Sequence, residues 1–153
     1  MNTEPLWFLD TLVVPRVPAA YSPDGLSVLE SRARRGDSPP LHTHSEDELF
    51  VVLDGELLVK AGAEERTLRA GETLLGPRGV PHTYLVTSDE ARWLTVTAKG
   101  DFEAFVRSFS RPATERDLPE ASGPPSPEQE AALAEACHRH GIELVGPPLH
   151  PGE

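Results

Sequence analysis

Residues 48–61 read ELFVVL-DG-ELLVKA, two apolar and β-branched runs joined by Asp54-Gly55. Asp-Gly is the pair that most favours a tight hairpin, because the turn needs positive φ, which aspartate tolerates and glycine adopts freely. The same grammar repeats outward. EERTLRA (64–70) runs into Gly71-Glu72, TLLG (73–76) into Pro77-Arg78-Gly79, and HTYLV (82–86) and ARWLTVTA (91–98) complete the set. Upstream, LSVLESRARRG (26–36) reads as a strand in which Leu26, Val28 and Glu30 share one parity; a helical stripe would need apolar residues three and four apart. Short strands punctuated by glycine at intervals of roughly eight to twelve residues predict an antiparallel barrel or sandwich, not βαβ units.

The ends of the chain read differently. LWFLDTLVV (6–14) is strand-like or irregular, and PRVPAAYSPDG (15–25) holds too many prolines and turn formers to continue a ladder. In DFEAFVRSF (101–109), Phe102, Phe105, Val106 and Phe109 have helical spacing and Asp101 is placed as an N-cap, predicting a helix packed on the outside of the barrel. Residues 110–125 are expected to be irregular. Ser126 then caps a second helix with Pro127 in its first turn, Gln129 in capping-box position and Gly141 as the stop. Ala132, Leu133, Ala136, Cys137 and His140 form its modest apolar stripe, and GIELVGPPL (141–149) is expected to trail across another surface as a short strand or arm. The expected division is an N-terminal strand and arm (1–25), a barrel (26–98) and C-terminal helices with a tail (99–153).

A chain of 153 residues suits one domain. With 14 Lys and Arg against 25 Asp and Glu, the formal charge of −11 would repel a phosphate backbone, which argues against a nucleic-acid partner. Arg32, Arg34 and Arg35 form the one basic cluster and read as a solvated or ion-paired strand, with a place beside an anionic ligand as the alternative. No apolar run is long enough to cross a bilayer, and the N-terminus lacks the basic patch and apolar core of a signal peptide, so no membrane partner and a cytoplasmic location are expected. A lone cysteine, Cys137, cannot form an internal disulfide and reads as a core residue.

His42, His44 and Glu48 are all even-numbered, and on an extended chain residues of one parity point to one side. Phe50 and Val52 continue that parity into the interior. The odd set, Leu49, Val51 and Leu53, is also apolar, so the other face wants cover from a helix, a second layer or a partner subunit. His82 follows the rigid turn of Pro77, Gly79 and Pro81 and opens a new strand, with Tyr84 and Val86 on its face. Imidazole nitrogens and a carboxylate suit Fe, Ni, Zn, Co or Cu as a divalent ion, and the carboxylate also suits Mn. Three histidines and one glutamate leave open coordination positions, the mark of a catalytic type of site. His138, His140 and His150 belong to the tail and read as surface or packing residues.

Gly36-DSPPL-His42-Thr-His44-SED-Glu48-LFVVLD-Gly55 resembles the first conserved motif of the cupins at every defining position. Gly71-ETLLG-Pro77-Arg-Gly79-VP-His82 resembles the second, except that its usual final asparagine is Val86 here. The resemblance implies an all-β, double-stranded β-helix, a jelly-roll barrel of about six to eight strands, commonly packed as a homodimer. It implies one divalent metal on His42, His44, Glu48 and His82. Glutamate at 48 argues against the cupins that lack this carboxylate, such as cysteine dioxygenases. The three-residue gap before it differs from the four-residue gap of the oxalate-degrading cupins.

Among cupins, the flavonol-cleaving dioxygenases are thought to use this glutamate as both ligand and general base. The expected function is therefore a quercetinase-like, metal-dependent dioxygenase taking a flavonol, or a related enolisable ring or diketone, with O2 as co-substrate. Glu48 is then catalytic, and Phe50, Val52, Tyr84 and Val86 line the substrate pocket. A metal-dependent isomerase or epimerase of a small sugar or keto acid is the alternative, and a non-catalytic small-molecule-binding cupin is a third reading.

Overall fold

Asp54-Gly55 reverses the chain, but the strands it joins do not pair with each other. The structure, a computed structural model, describes residues 2–152. Its strands are β1 (Leu6–Phe8), β2 (Thr11–Val17), β3 (Ser27–Arg34), β4 (Leu41–Thr43), β5 (Glu48–Asp54), β6 (Glu56–Ala61), β7 (Glu64–Arg69), β8 (Thr73–Gly76), β9 (His82–Val86) and β10 (Glu90–Thr97). Helix α1 (Phe102–Ser108), β11 (Arg111–Pro112), helix α2 (Pro127–Arg139) and β12 (Glu143–Gly146) follow. They build a seven-stranded sheet, β11-β1-β2-β3-β10-β5-β8, and a five-stranded sheet, β12-β4-β9-β6-β7. All the pairings are antiparallel.

β5 lies in the larger sheet and β6 in the smaller, so the Asp-Gly pair is a corner between sheets and not a hairpin turn. The physical reason lies in the side chains: turn chemistry reverses the chain, but it does not decide whether the flanking ladders close on each other. Crossing the corner sets Phe50 and Val52 against Leu57 and Val59 in one core, while β10 and β8 satisfy the β5 backbone and β7 and β9 that of β6. Gly55 has φ +76, and a Cβ there would meet Glu90 O at 2.2 Å and Ala91 Cα at 2.8 Å, so the corner is pressed against the start of β10. The tight hairpin is the next one: Ala61 pairs with Glu64 across Gly62-Ala63, with Gly62 at φ +60.

The core between the sheets comprises Ala33, Phe50, Val52, Leu74, Ala91 and Trp93 from the larger sheet and Leu57, Val59, Ala61, Leu68 and Val86 from the smaller. In β3 the interior parity is the odd one. Ser27, Leu29, Ser31 and Ala33 are buried, whereas Leu26 is exposed and Val28 half-buried. Leu29 faces the same side as Ala33 but beyond the smaller sheet, where it packs with Val13, Phe105, Val106, Ala136 and Cys137. The α1 stripe thus lies on the extended interior face of the larger sheet, closing the end of the barrel, and not on its outer surface. α2 has the full capping box, with Ser126 Oγ accepting from Gln129 N and Gln129 Oε1 accepting from Ser126 N. Asp101 does not cap α1 with its side chain; its Oδ2 instead accepts from His140 Nδ1 and ties the start of α1 to the end of α2.

The arm 141–149 is placed more purposefully than its sequence suggested. β12 pairs along β4, with Leu144 opposite His42. The arginines on β3 and after it are partnered: Arg32 with Glu90 and Asp117, Arg34 with the Pro119 carbonyl, and Arg35 with Asp89. Among the described residues no helix is long and apolar enough to cross a membrane.

Where the chain enters the first site strand, Asp37 is half-buried, with Thr11 Oγ1 donating to its Oδ2 at 3.4 Å and the Tyr84 hydroxyl also facing it. Burial, helped by the Asp10 charge, pushes the Asp37 carboxyl up from its ordinary 3.8 to about 6. Between those values the folded protein keeps a proton that the unfolded chain has lost, so stability falls as pH rises through the window and stays lower above it. Asp37→Asn is expected to remove this slope. In denaturant titrations the variant should gain on the wild type from about pH 4 to about pH 6 and hold a constant lead above. Parallel pH curves would contradict the assignment.

Candidate metal centre

The site is assembled from the starts of strands. His42 sits in the middle of β4 and is the direct cross-strand partner of His82, the first residue of β9. Glu48 opens β5 opposite Gly76, and His44 stands in the link between β4 and β5. The Pro77–Gly79 turn is fastened to that link, since Gly79 N donates to His44 O and Arg78 N donates to Asp47 Oδ1. Strand parity does what the sequence implied: His42, His44, Glu48 and His82 are all buried, at 8%, 4%, 3% and 1% exposure.

Each imidazole is aimed by a backbone carbonyl two residues away. His42 Nδ1 bonds Pro40 O at 2.7 Å, His44 Nδ1 bonds Glu46 O at 3.0 Å, and His82 Nδ1 bonds Val80 O at 3.0 Å. A carbonyl only accepts, so each Nδ1 carries the hydrogen and each Nε2 is turned inward. One ligand atom from each histidine falls within 4.8 Å of the others. Glu48 Oε1 joins them, 3.0 Å from His44 Nε2 and 3.6 Å from His82 Nε2. His82 Nε2 is buried without a hydrogen-bond partner, an arrangement that is costly unless something else engages it. Three imidazole nitrogens, one of them orphaned, and a carboxylate oxygen fit a divalent transition metal, and the histidines could bind one.

The electrostatics agree. Burial alone would raise the Glu48 carboxyl, but the hydrogen bond from His44 and the nearby His82 and His44 charges outweigh it and hold the group well below the usual carboxylate range. Burial, and then the neighbouring His82, lowers His42 to about 4, so this ring is neutral and available as a ligand at neutral pH. Burial would lower His82 as well, but Glu48 reverses the direction and raises it.

Phe50, Val52 and Val86 are wholly buried in the core below the ligands. Tyr84 is half-buried, with its ring edge-on to Trp93 at 5.0 Å and to Phe50 at 6.2 Å. Burial and the charges of Asp37 and Glu48 raise its hydroxyl well above 10. His138 and His140 stay at the end of α2, and His150 is in the tail. Sequence reading missed two neighbours of the ligands. Phe102 of α1 lies over His44 with ring centroids 5.5 Å apart, and Glu46, in the link between β4 and β5, is 4% exposed. The signal for Glu46 was its even parity within a run of three acidic residues, Glu46-Asp47-Glu48.

A family model described as "Cupin domain" matches residues 31–97. Quercetin 2,3-dioxygenase from Bacillus subtilis (strain 168) is 31% identical over 86 residues, which is 56% of this chain but 26% of that protein, so the match spans about a quarter of the relative. Among solved structures, an RmlC-like cupin from Shewanella frigidimarina NCIMB 400 superposes with a TM-score of 0.59 at 15% identity, covering 67% of this chain and 89% of that one. KdgF from Halomonas sp. gives 0.54 at 19%, covering 59% and 79%. A cupin-superfamily sugar phosphate isomerase from Silicibacter pomeroyi gives 0.52 at 21%, covering 60% of each chain. At these identities the solved structures speak for the fold alone. Two antiparallel sheets, both histidine motifs in register and the family match lead to one statement: residues 31–97 form a cupin domain, and the chain has the cupin fold.

Proposed function

We propose that the protein is a metal-dependent dioxygenase of quercetinase-like type, acting on a flavonol or a related enolisable ring or diketone with O2 as co-substrate. The observation that carries this reading is the convergence of three inward-turned histidines on Glu48 Oε1. The 31% identity to the Bacillus dioxygenase supports the choice of substrate class. His42, His44, Glu48 and His82 would hold one ion of Fe, Ni, Mn, Co, Cu or Zn, whose Lewis acidity would favour the ionised form of a substrate hydroxyl.

The rest falls to the chain's own side chains. Glu48 Oε1 takes the enol proton; it is ionised, and the two imidazoles that hold it so in the metal-free protein are the ones a metal would engage. The Tyr84 hydroxyl stays protonated and is turned to Asp37, so Tyr84 contributes its ring, beside Phe50, to the pocket wall. Phe50, Val52 and Val86 provide the apolar floor that excludes water. Reconstitution with each ion, followed by oxygen-electrode assays against flavonols, diketones and short keto acids, tests the reading. Glu48→Gln should lower turnover on the order of 100- to 10,000-fold while metal stays bound. Absence of oxygen uptake with every ion, combined with anaerobic turnover of a keto sugar, would instead favour an isomerase.

We also propose a homodimer in the cytoplasm, built on the outer face of the larger sheet. Val28, Val96, Leu49 and Leu75 form one cross-strand apolar row there, and Leu75 is 50% exposed. Sedimentation should give a dimer for the wild type and a monomer for Leu49→Glu with Leu75→Glu; a wild-type monomer at micromolar concentration would sink the idea.

A further inference from the structure

Glu46 lies between two ligands in sequence, yet its side chain turns away from the ligand cluster. Oε2 accepts from Asp101 N at 2.6 Å and Phe102 N at 2.8 Å, so it is this carboxyl that receives the first amides of α1. Oε1 lies 3.4 Å from His44 Nδ1, the atom that also bonds the Glu46 main-chain carbonyl at 3.0 Å. His44 is therefore held on its outer edge by the Glu46 carbonyl, with the carboxyl of the same residue lying beside that nitrogen and the Phe102 ring tilted over it. The seat is tight: a Cβ on Gly100 would come within 2.0 Å of Glu46 Cγ and Oε2. Gly100 has no left-handed φ, so the space and not the backbone conformation calls for glycine there.

We propose that Glu46 is a positioning residue for the metal site, a carboxyl that fixes and enriches the His44 imidazole while locking the start of α1 over it. The inference rests on the metal-binding reading above. A carboxyl on the far nitrogen of a ligating histidine sets ring orientation and raises its donor strength, and removing such partners typically costs about 10- to 100-fold in metal affinity. The lock also means that the α1 start cannot lift without disturbing Glu46 and, through it, the surroundings of His44.

Glu46→Gln separates the two jobs, because the amide oxygen still accepts from Asp101 N and Phe102 N while the negative charge beside Nδ1 is gone. Co(II) titration with a competing chelator is expected to show affinity about 10- to 100-fold weaker than wild type, with shifted ligand-field bands and little change in the melting temperature of the metal-free protein. Gly100→Ala keeps the carboxyl but displaces it, and should weaken Co(II) in the same direction; it decides the matter if Glu46→Gln fails to fold. Wild-type affinity and spectrum in both variants would overturn the proposal, as would a lower melting temperature with unchanged Co(II) binding, the mark of a purely structural residue. Should the wild type bind no Co(II), the metal-binding reading itself falls and takes this one with it.

Discussion

The double substitution His42→Ala with His44→Ala is expected to abolish stoichiometric metal. Two of three converging imidazoles disappear, and His82 with Glu48 cannot complete a site of the kind these residues form. Elemental analysis of protein purified in the presence of each candidate ion is the measurement, and retention of near one equivalent would sink the site. Thermal melts give an independent reading. Wild-type protein should gain stability with free metal by mass action, about 2.7 kcal/mol at a hundredfold excess over the dissociation constant, and the double variant should gain none. The metal-free variant should still fold, because the ligands sit at one end of a barrel whose apolar core they do not supply.

Trp93→Ala is the substitution expected to cost most in stability, about 3–5 kcal/mol by denaturant titration. Trp93 is 1% exposed and is the largest of the fully buried side chains. It stands on β10, the strand that joins β3 to β5, opposite Ser31 on one side and Val52 on the other, with Tyr84 edge-on across the sheets. Truncation leaves a cavity lined by both sheets, which cannot collapse without shifting β10. Glu65→Ala on the exposed face of β7 is the control and should change stability by less than about 0.5 kcal/mol. A loss of under about 1 kcal/mol for Trp93→Ala would mean that the core repacks around it.

The parity of His42, His44, Glu48, Phe50 and Val52 was legible because a strand's period of two is a local rule, and the tertiary structure had no reason to override it. The Pro-Gly turn before His82 was legible for a similar reason, since few backbone paths pass through it. Three features depended on partners distant in sequence. Asp54-Gly55 was readable as a reversal but not as a corner, because the choice is made by β10, β8, β7 and β9. In β3 the serines at 27 and 31 occupy interior positions, where the apolar pattern pointed to the other parity. Glu46 stands in sequence as one of three consecutive acidic residues, and only the arrival of α1 at Asp101 and Phe102 buries it with partners for its carboxyl.

β4 spans only Leu41–Thr43, and its hold on β9 is the single His42–His82 pairing; along its other edge lies β12. During synthesis, all four candidate ligands leave the ribosome before Glu143–Gly146 does, His82 by about 60 residues and His42, His44 and Glu48 by about 100. The strand bearing His42 must wait for that late segment to reach its final ladder, so a nascent chain can own all its ligands and still lack the frame that presents them. On the proposed reading, metal loading therefore waits for Glu143–Gly146 to pair along β4, and a bulky insertion directly behind Gly146 would delay it.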